Sequence, residues 1–286
     1  MSETSLVSLK RRIKSIKNTQ KITRAMGLVA SSKLRKVSSK LLVNNQFYRS
    51  FSHTIDQIIT YGSHIDNKYF ECSNCKKKLY IVFSSDLGLC GSFNASVFDK
   101  LVKEIGGNKE NCQIITIGQK ARGMLRKTGL ASVAEFVDIS DVPEEEDADV
   151  IATKIFEIFD EGEFGEVYCI YTKYFTPVKQ EVLLKKLLPI EKEKEPKEAI
   201  KTTFEFEPEE KEFLTNISHF YIKQCIYNFF LNSRASEQGA RMSAMDAANK
   251  NGNDIIDKLQ LKYNRIRQSA ITEAIAEIVG GAEAQK

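Results

Sequence analysis

The chain has 286 residues, 42% of them hydrophobic and 28% charged, and a formal net charge of +4. That size and balance predict a soluble protein of one or two domains. Residues 1–12 lack the apolar core of a signal peptide, which excludes a secreted reading and places the chain in the cytoplasm as an expectation.

Residues 6–59 contain no proline and a single glycine, Gly27, so residues 1–60 read as one helix, roughly 80 Å long at 1.5 Å per residue. Leu34, Val37, Leu41, Asn44, Tyr48, Phe51, Ile55 and Ile58 alternate by threes and fours, the spacing of a coiled-coil seam, with Asn44 its one polar member. Lys10, Arg11, Arg12, Lys14, Lys17, Lys21, Arg24, Lys33, Arg35, Lys36 and Lys40 face one acid, Glu3, in the same stretch. So basic an arm calls for an acidic protein surface. A solvated charged face ranks second. Nucleic acid ranks third, because no aromatic precedes Phe47 and because Leu6, Leu9, Ile13 and Ile16 form a seam that a partner helix would cover.

Cys72 and Cys75 form a C-x-x-C in a polar stretch before the first strand. Half a zinc site, a redox pair and an incidental surface pair all fit, the last best, since no second C-x-x-C or nearby histidine completes four ligands. Cys90, Cys112 and Cys169 lie in or beside apolar strands and read as small core residues.

Residues 77–207 alternate strand and helix. Strands are expected at 79–84 (LYIVFS), 113–117 (QIITI) and 167–171 (VYCIY), and helices at 93–105, 120–128 and 149–159. A later β pair is expected at 178–190 and 202–206, with 144–149 and 191–201 as charged surface linkers. Such an order argues a mostly parallel, Rossmann-like sheet covered on both faces. The turn SSDLGLCGSFN between the first strand and its helix is glycine-rich, yet it fits neither G-x-G-x-x-G nor a Walker sequence. A tight turn that needs Gly88 and Gly91 for its backbone angles is the better reading than a phosphate cradle. No nucleophile elbow, H-E-x-x-H or paired-carboxylate signature is present, so no catalytic site or cofactor is expected.

Residues 209–283 read as a second long helix: 213–279 hold no proline and only Gly239 and Gly252, for a length on the order of 100 Å. Phe213, Ile217, Phe220, Tyr227 and Leu231, and then Ile256, Leu259, Tyr263, Ile266 and Ala270, repeat the seam spacing. The expected fold class is therefore α/β, with a long antiparallel two-helix coiled coil from the two termini, projecting as a rod, plus a central Rossmann-like domain. The second helix should overshoot the first by roughly 15 to 20 Å. Its end, SAITEAIAEIV at 269–279, exposes Ile271, Ile275, Ile278 and Val279. It is too short and, with Glu273 and Glu277, too charged to span a membrane, so insertion into an apolar collar on another protein is expected.

Four segments, LKRRIKSIKNTQKITRAMGLVASSKLRK, SSDLGLCGSFN, SEQGARMSAMDAANKNG and LKYNRIRQSAITEAIAEIVGGAEA, resemble the gamma subunit of F-type ATP synthase, collinearly and over nearly the whole chain. The resemblance implies a central rotor shaft. It would turn within the alpha and beta subunits of a catalytic hexamer and stand on a membrane c-ring beside an epsilon subunit. The location would be the cytoplasmic face of a bacterial membrane, reached only through the complex, with nucleotide sites on the partners and no nucleic acid. It also implies contacts to the catalytic subunits at Arg24, Met26, Glu237, Gln238, Arg241, Arg267, Gln268 and Thr272, a bearing tip at Ile271, Ile275, Ile278 and Val279, and a foot contact at Glu207. Read without the resemblance, Glu237 and Arg241 are also an ordinary i, i+4 helix pair, worth about 0.2 to 0.5 kcal/mol. Two other classes stay open: a motor-adaptor coiled coil, which leaves the apolar tip unexplained, and a phosphate-binding enzyme, which leaves the long helices unexplained.

Overall fold

Long proline-free stretches at both ends and short apolar strands between them set the architecture of the computed structural model, which describes residues 2–61, 67–71, 75–130, 132–191 and 209–283. Helix α1 (Ser2–Tyr61) is followed by β1 (Lys78–Phe83), α2 (Phe93–Ile105), β2 (Cys112–Ile117), α3 (Gln119–Thr128), β3 (Ser132–Phe136), α4 (Glu145–Asp160), β4 (Glu166–Tyr174), β5 (Gln180–Leu188) and α5 (Glu210–Glu283). The chain divides into two units, Met1–Val29 with Met242–Lys286, and Ala30–Arg241.

The larger unit is built on a five-stranded sheet in the order β3-β2-β1-β4-β5. Pairs β3·β2, β2·β1 and β1·β4 are parallel, and β5 runs antiparallel along β4. Alternation along β1 sends Tyr80 and Val82 to one face, where Val97, Leu101 and Ile105 of α2 and Ala121 and Leu125 of α3 cover them. Leu79, Ile81 and Phe83 go to the other face, where Phe83 meets Phe230 of α5 with ring centroids 5.4 Å apart. The crossover from β3 to β4 runs back over the sheet, so right-handedness puts α4 on the α5 side. There Phe156 of α4 stacks on His219 of α5 at 3.9 Å.

Helix α5 is the axis of this unit. Residues 221–239 are buried except for Lys223, which is half-buried. Tyr171 of β4 stacks on Phe229 at 4.1 Å, while Tyr48 and Phe51 of α1 approach Phe229 and Phe220 at 6.3 and 5.0 Å. All eight seam positions expected in α1 are buried or half-buried. Asn44, the polar one, accepts a 2.8 Å hydrogen bond from Asn228 Nδ2 of α5. Phe220 was expected on the same seam and is 43% exposed, touching it only through its ring edge.

In the smaller unit the two helices run antiparallel. Thr23 of α1 bonds to Asn249 of α5, and Gly27 packs against Met245. Leu9 and Ile256 are buried, and Ile13, Ile16, Leu259, Tyr263, Ile266 and Ala270 are half-buried. Beyond Ala270 every residue from 271 to 282 is exposed. Helix α5 continues to Glu283, an unpaired end roughly 20 Å long.

The sequence reading needs several corrections in the larger unit. Residues 144–149 are not a linker. Glu144 caps α4 in a reciprocal capping box with Asp147, and Glu145, Glu146 and Asp147 occupy its first turn. Acids there meet the positive end of the helix dipole, so the run opens a helix. Strand β3 was not anticipated, because SVAEF is short and its Val133 is exposed. Residues 178–190 form the single strand β5, whereas 202–206 and most of 191–201 lie outside the described residues. Cys90 and Cys169 are buried as expected, but Cys112 is only half-buried.

Candidate functional site

The turn after β1 is the most heavily constrained part of the larger unit. Ser84, Ser85 and Asp86 meet the first three N–H groups of α3 in reverse order. Ala121 N donates to Ser84 Oγ at 3.0 Å, Lys120 N to the Ser85 carbonyl at 3.0 Å and Gln119 N to Asp86 Oδ1 at 3.1 Å. Asp138 N also donates to Asp86 Oδ1. Gly118 lets the backbones approach: it has φ 94°, and a Cβ there would lie 2.4 Å from the Ser84 carbonyl oxygen. Asn94 closes the other side, accepting from Ser85 N at 3.0 Å and donating to Ser85 Oγ at 2.8 Å. A parallel sheet ordinarily offers ligands the crevice at the strands' carboxyl ends. In this protein the positive end of α3 is taken by the chain's own Asp86 carboxylate.

The same turn is held from beneath by α5. Arg234 donates Nη2 to Asp86 Oδ2 at 2.9 Å and to the Ile139 carbonyl at 3.2 Å, and Nη1 to Glu237 Oε2 at 2.8 Å. Arg241 donates Nη2 to Glu237 Oε1 at 2.8 Å and to the Leu87 carbonyl at 3.2 Å. The side chains of Arg234, Glu237 and Arg241 are only 3%, 3% and 7% exposed. Burial works against the Arg234 charge, yet Glu237 and Asp86 hold its pKa above the ordinary guanidinium value. Glu237 and Arg241 are therefore members of an enclosed ion network and not the surface pair their spacing suggests. Gln238, also buried, donates to Asp141, which Lys33 of α1 meets at 2.5 Å.

Of the two glycines expected to serve the turn's backbone angles, Gly91 does so and Gly88 does not. Gly91 at φ 59° and Leu89 at φ 62° adopt the left-handed conformation. Leu87 and Leu89 project 66% and 60% exposed from this braced turn.

The other sequence-predicted residues sit in the smaller unit. Arg24 is exposed and Met26 half-buried on α1, near Thr23, whose hydroxyl bonds to Asn249. Arg267, Gln268 and Thr272 are exposed on α5. Arg267 lies eighteen residues past Asn249, roughly 27 Å along the helix, so the structure does not bring the two groups together. Ile271, Ile275, Ile278 and Val279 are 52%, 56%, 72% and 54% exposed, with no α1 residue opposite. Glu207 and Cys72 lie outside the described residues. Cys75 donates to the Glu163 carbonyl at 2.8 Å. Among the described residues no three metal-ligating side chains converge, and no helix is long and apolar enough to cross a membrane.

Arg234 and Asp86 escaped the sequence reading. The available signal was negative: between Leu231 and Met245 the apolar seam of α5 lapses into NSRASEQGARMSA, polar residues in a stretch flanked by core positions.

Solved structures share this architecture. A chain of the Euglena gracilis mitochondrial ATP synthase, from an OSCP, F1 and c-ring structure in rotational state 3, matches with a TM-score of 0.76 at 16% identity, covering 99% of this chain and 95% of that one. A chain from the Tetrahymena thermophila mitochondrial ATP synthase central stalk and c-ring matches with a TM-score of 0.62 at 24% identity, covering 79% and 99%. The fold, two terminal helices with an α/β domain between them in sequence, is thus one that these ATP synthase chains share. A family model described as ATP synthase matches residues 5–285. ATP synthase gamma chains of Clostridium novyi and Clostridium botulinum are 47% and 44% identical over 100% of both chains. The chain belongs to the ATP synthase gamma chain family.

Proposed function

We propose that the chain is the central rotor shaft of an F-type ATP synthase. It couples ion-driven rotation of a membrane c-ring to ATP synthesis or hydrolysis in an alpha/beta hexamer, on the cytoplasmic face of a bacterial membrane. The observation that carries this reading is the end of α5, where residues 271–282 stand exposed without a partner helix and Ile271, Ile275, Ile278 and Val279 need an apolar collar. Arg267, Gln268 and Thr272, exposed just before and within that end, are the groups for polar contact with the catalytic subunits. Arg267 supplies a charge-assisted bond to a carboxylate. Arg24 and Met26 meet the same subunits from α1. Glu237, Gln238 and Arg241 are enclosed, so they act by holding the turn at 86–89 and the Asp141 loop in place.

Chemistry stays on the partners. In this reading the shaft contributes mechanical contact; the N-terminus of α3 is already met by the chain's own Asp86 carboxylate. Epsilon and the c-ring are the partners at the α/β domain, Glu207 among the contacts to the ring. The test is Mg-ATP hydrolysis by purified alpha and beta subunits with and without this chain, beside the chain alone. The expected result is an inert chain that is required for multi-site turnover by the assembled subunits. Failure to join the hexamer, or hydrolysis by the chain alone, would overturn the reading.

A further inference from the structure

Within the smaller unit one layer of the two-helix seam is polar. Gln20 uses both amide hydrogens across the seam, donating Nε2 to the Asn249 carbonyl at 3.0 Å and to Asn253 Oδ1 at 2.8 Å. Thr23, one turn along α1, donates Oγ1 to Asn249 Oδ1 at 2.5 Å. Gly252 lies between the two asparagines on α5 and is buried. A Cβ on it would lie 2.7 Å from Gln20 Nε2 and 2.9 Å from Gln20 Cγ, so the absent side chain of Gly252 is the seat of the Gln20 amide. Glycine inside a helix costs roughly 0.5 to 1 kcal/mol relative to alanine, and at Gly252 the offsetting gain is this fit.

Apolar layers are non-directional, so they hold two helices together without fixing how far one slides or rolls on the other. A polar layer with four groups matched in one alignment favours that alignment by the net worth of the bonds it makes, two of them part-buried and one exposed. Twisting a pair of wound helices changes their supercoil and obliges them to slide and roll against each other. A displacement of one residue is a 1.5 Å slide with a turn of about 100°, which parts all three bonds. We propose that Gln20, Thr23, Asn249 and Asn253, seated on Gly252, form a pin that fixes the register of the two helices. They are positioning residues: the pin stands on this geometry, and its purpose of passing twist along the pair rests on the shaft reading. The larger unit uses the same chemistry, Asn228 Nδ2 donating to Asn44 Oδ1 at 2.8 Å and to Asn45 Oδ1 at 2.9 Å.

The test is disulfide trapping in the full chain, with linked peptides identified by mass spectrometry. Gly27→Cys paired with Met245→Cys reports the native register, because Gly27 packs on Met245. Gly27→Cys paired with Ala248→Cys reports a shift of about one turn. With the polar layer intact, the 27–245 link should dominate. Gln20→Leu with Asn249→Leu keeps the seam covered, and it should raise the 27–248 link about tenfold, the loss of roughly one net hydrogen bond's worth of register preference. Gly252→Ala, which unseats the Gln20 amide and leaves every polar group in place, should move the yield the same way and serves if the double leucine chain does not fold. A 27–248 yield unchanged by both replacements, or equal to the 27–245 yield with the layer intact, overturns the pin. Since no partner subunit enters this measurement, failure of the shaft reading in the hydrolysis assay would leave its result standing.

Discussion

Asp86 ties three segments of the larger unit together, because one carboxylate serves the N-terminus of α3, the Asp138 amide and the Arg234 guanidinium. Replacing Arg234 with methionine would leave the half-buried Asp86 carboxylate without its cation and the buried Glu237 with Arg241 alone. The expected loss is about 3 to 5 kcal/mol in urea unfolding, whereas a surface-pair reading expects under 1. Gly118→Ala places a methyl against the Ser84 carbonyl at a positive φ, and it should cost more than about 1 kcal/mol by the same measurement. His219 gives a pH signature. His219 is exposed at its edge, but partial desolvation where its ring packs on Phe156 and Tyr69 lowers its pKa from the ordinary histidine value, with Asp160 opposing and Lys68 reinforcing the shift. A depressed value means the folded state resists the proton, so this contribution is present above about pH 6.5 and is lost as pH falls below it. The unfolding midpoint should therefore drop between about pH 7 and pH 5, and His219→Gln should flatten that drop; an identical slope in both chains would refute the assignment.

At the scale of elements, the two long helices were legible because proline-free length and three-four spacing are local signals, and the seam positions of α1 are all covered as expected. Among the described residues the two helices run from Ser2 to Tyr61 and from Glu210 to Glu283, a few residues beyond the apolar pattern on each side. Strand β3 and the capped start of α4 were not legible. In β3 the burial alternates but the residue types do not follow it, with Val133 outward and Ser132 inward, and a run of acids resembles a linker until the helix behind it is seen. The role of Asp86 was hidden for a different reason. Its partners Gln119, Asp138 and Arg234 are 33, 52 and 148 residues away, beyond any local pattern. The exposed end of α5 makes a prediction of its own. Ile275→Asp should leave unfolding of the chain within about 0.5 kcal/mol, since the site has no partner within it, yet weaken coupling in the assembled hexamer. A large loss of stability in the isolated chain would show that the end packs on the molecule itself.

For the whole molecule, family membership selects among the readings that the long helices and the apolar end leave open. The relatives match from end to end. The helix pairing and the exposed end of α5 are the features on which the proposed shaft reading rests. The decisive measurement is rotation. The alpha and beta subunits are fixed to a surface, this chain carries a probe on its α/β domain, and the probe is watched under Mg-ATP. Unidirectional rotation that stops when Mg-ATP is withdrawn is the expected result. Sustained hydrolysis by the assembled subunits with the probe stationary, or moving equally in both directions, would contradict the shaft reading.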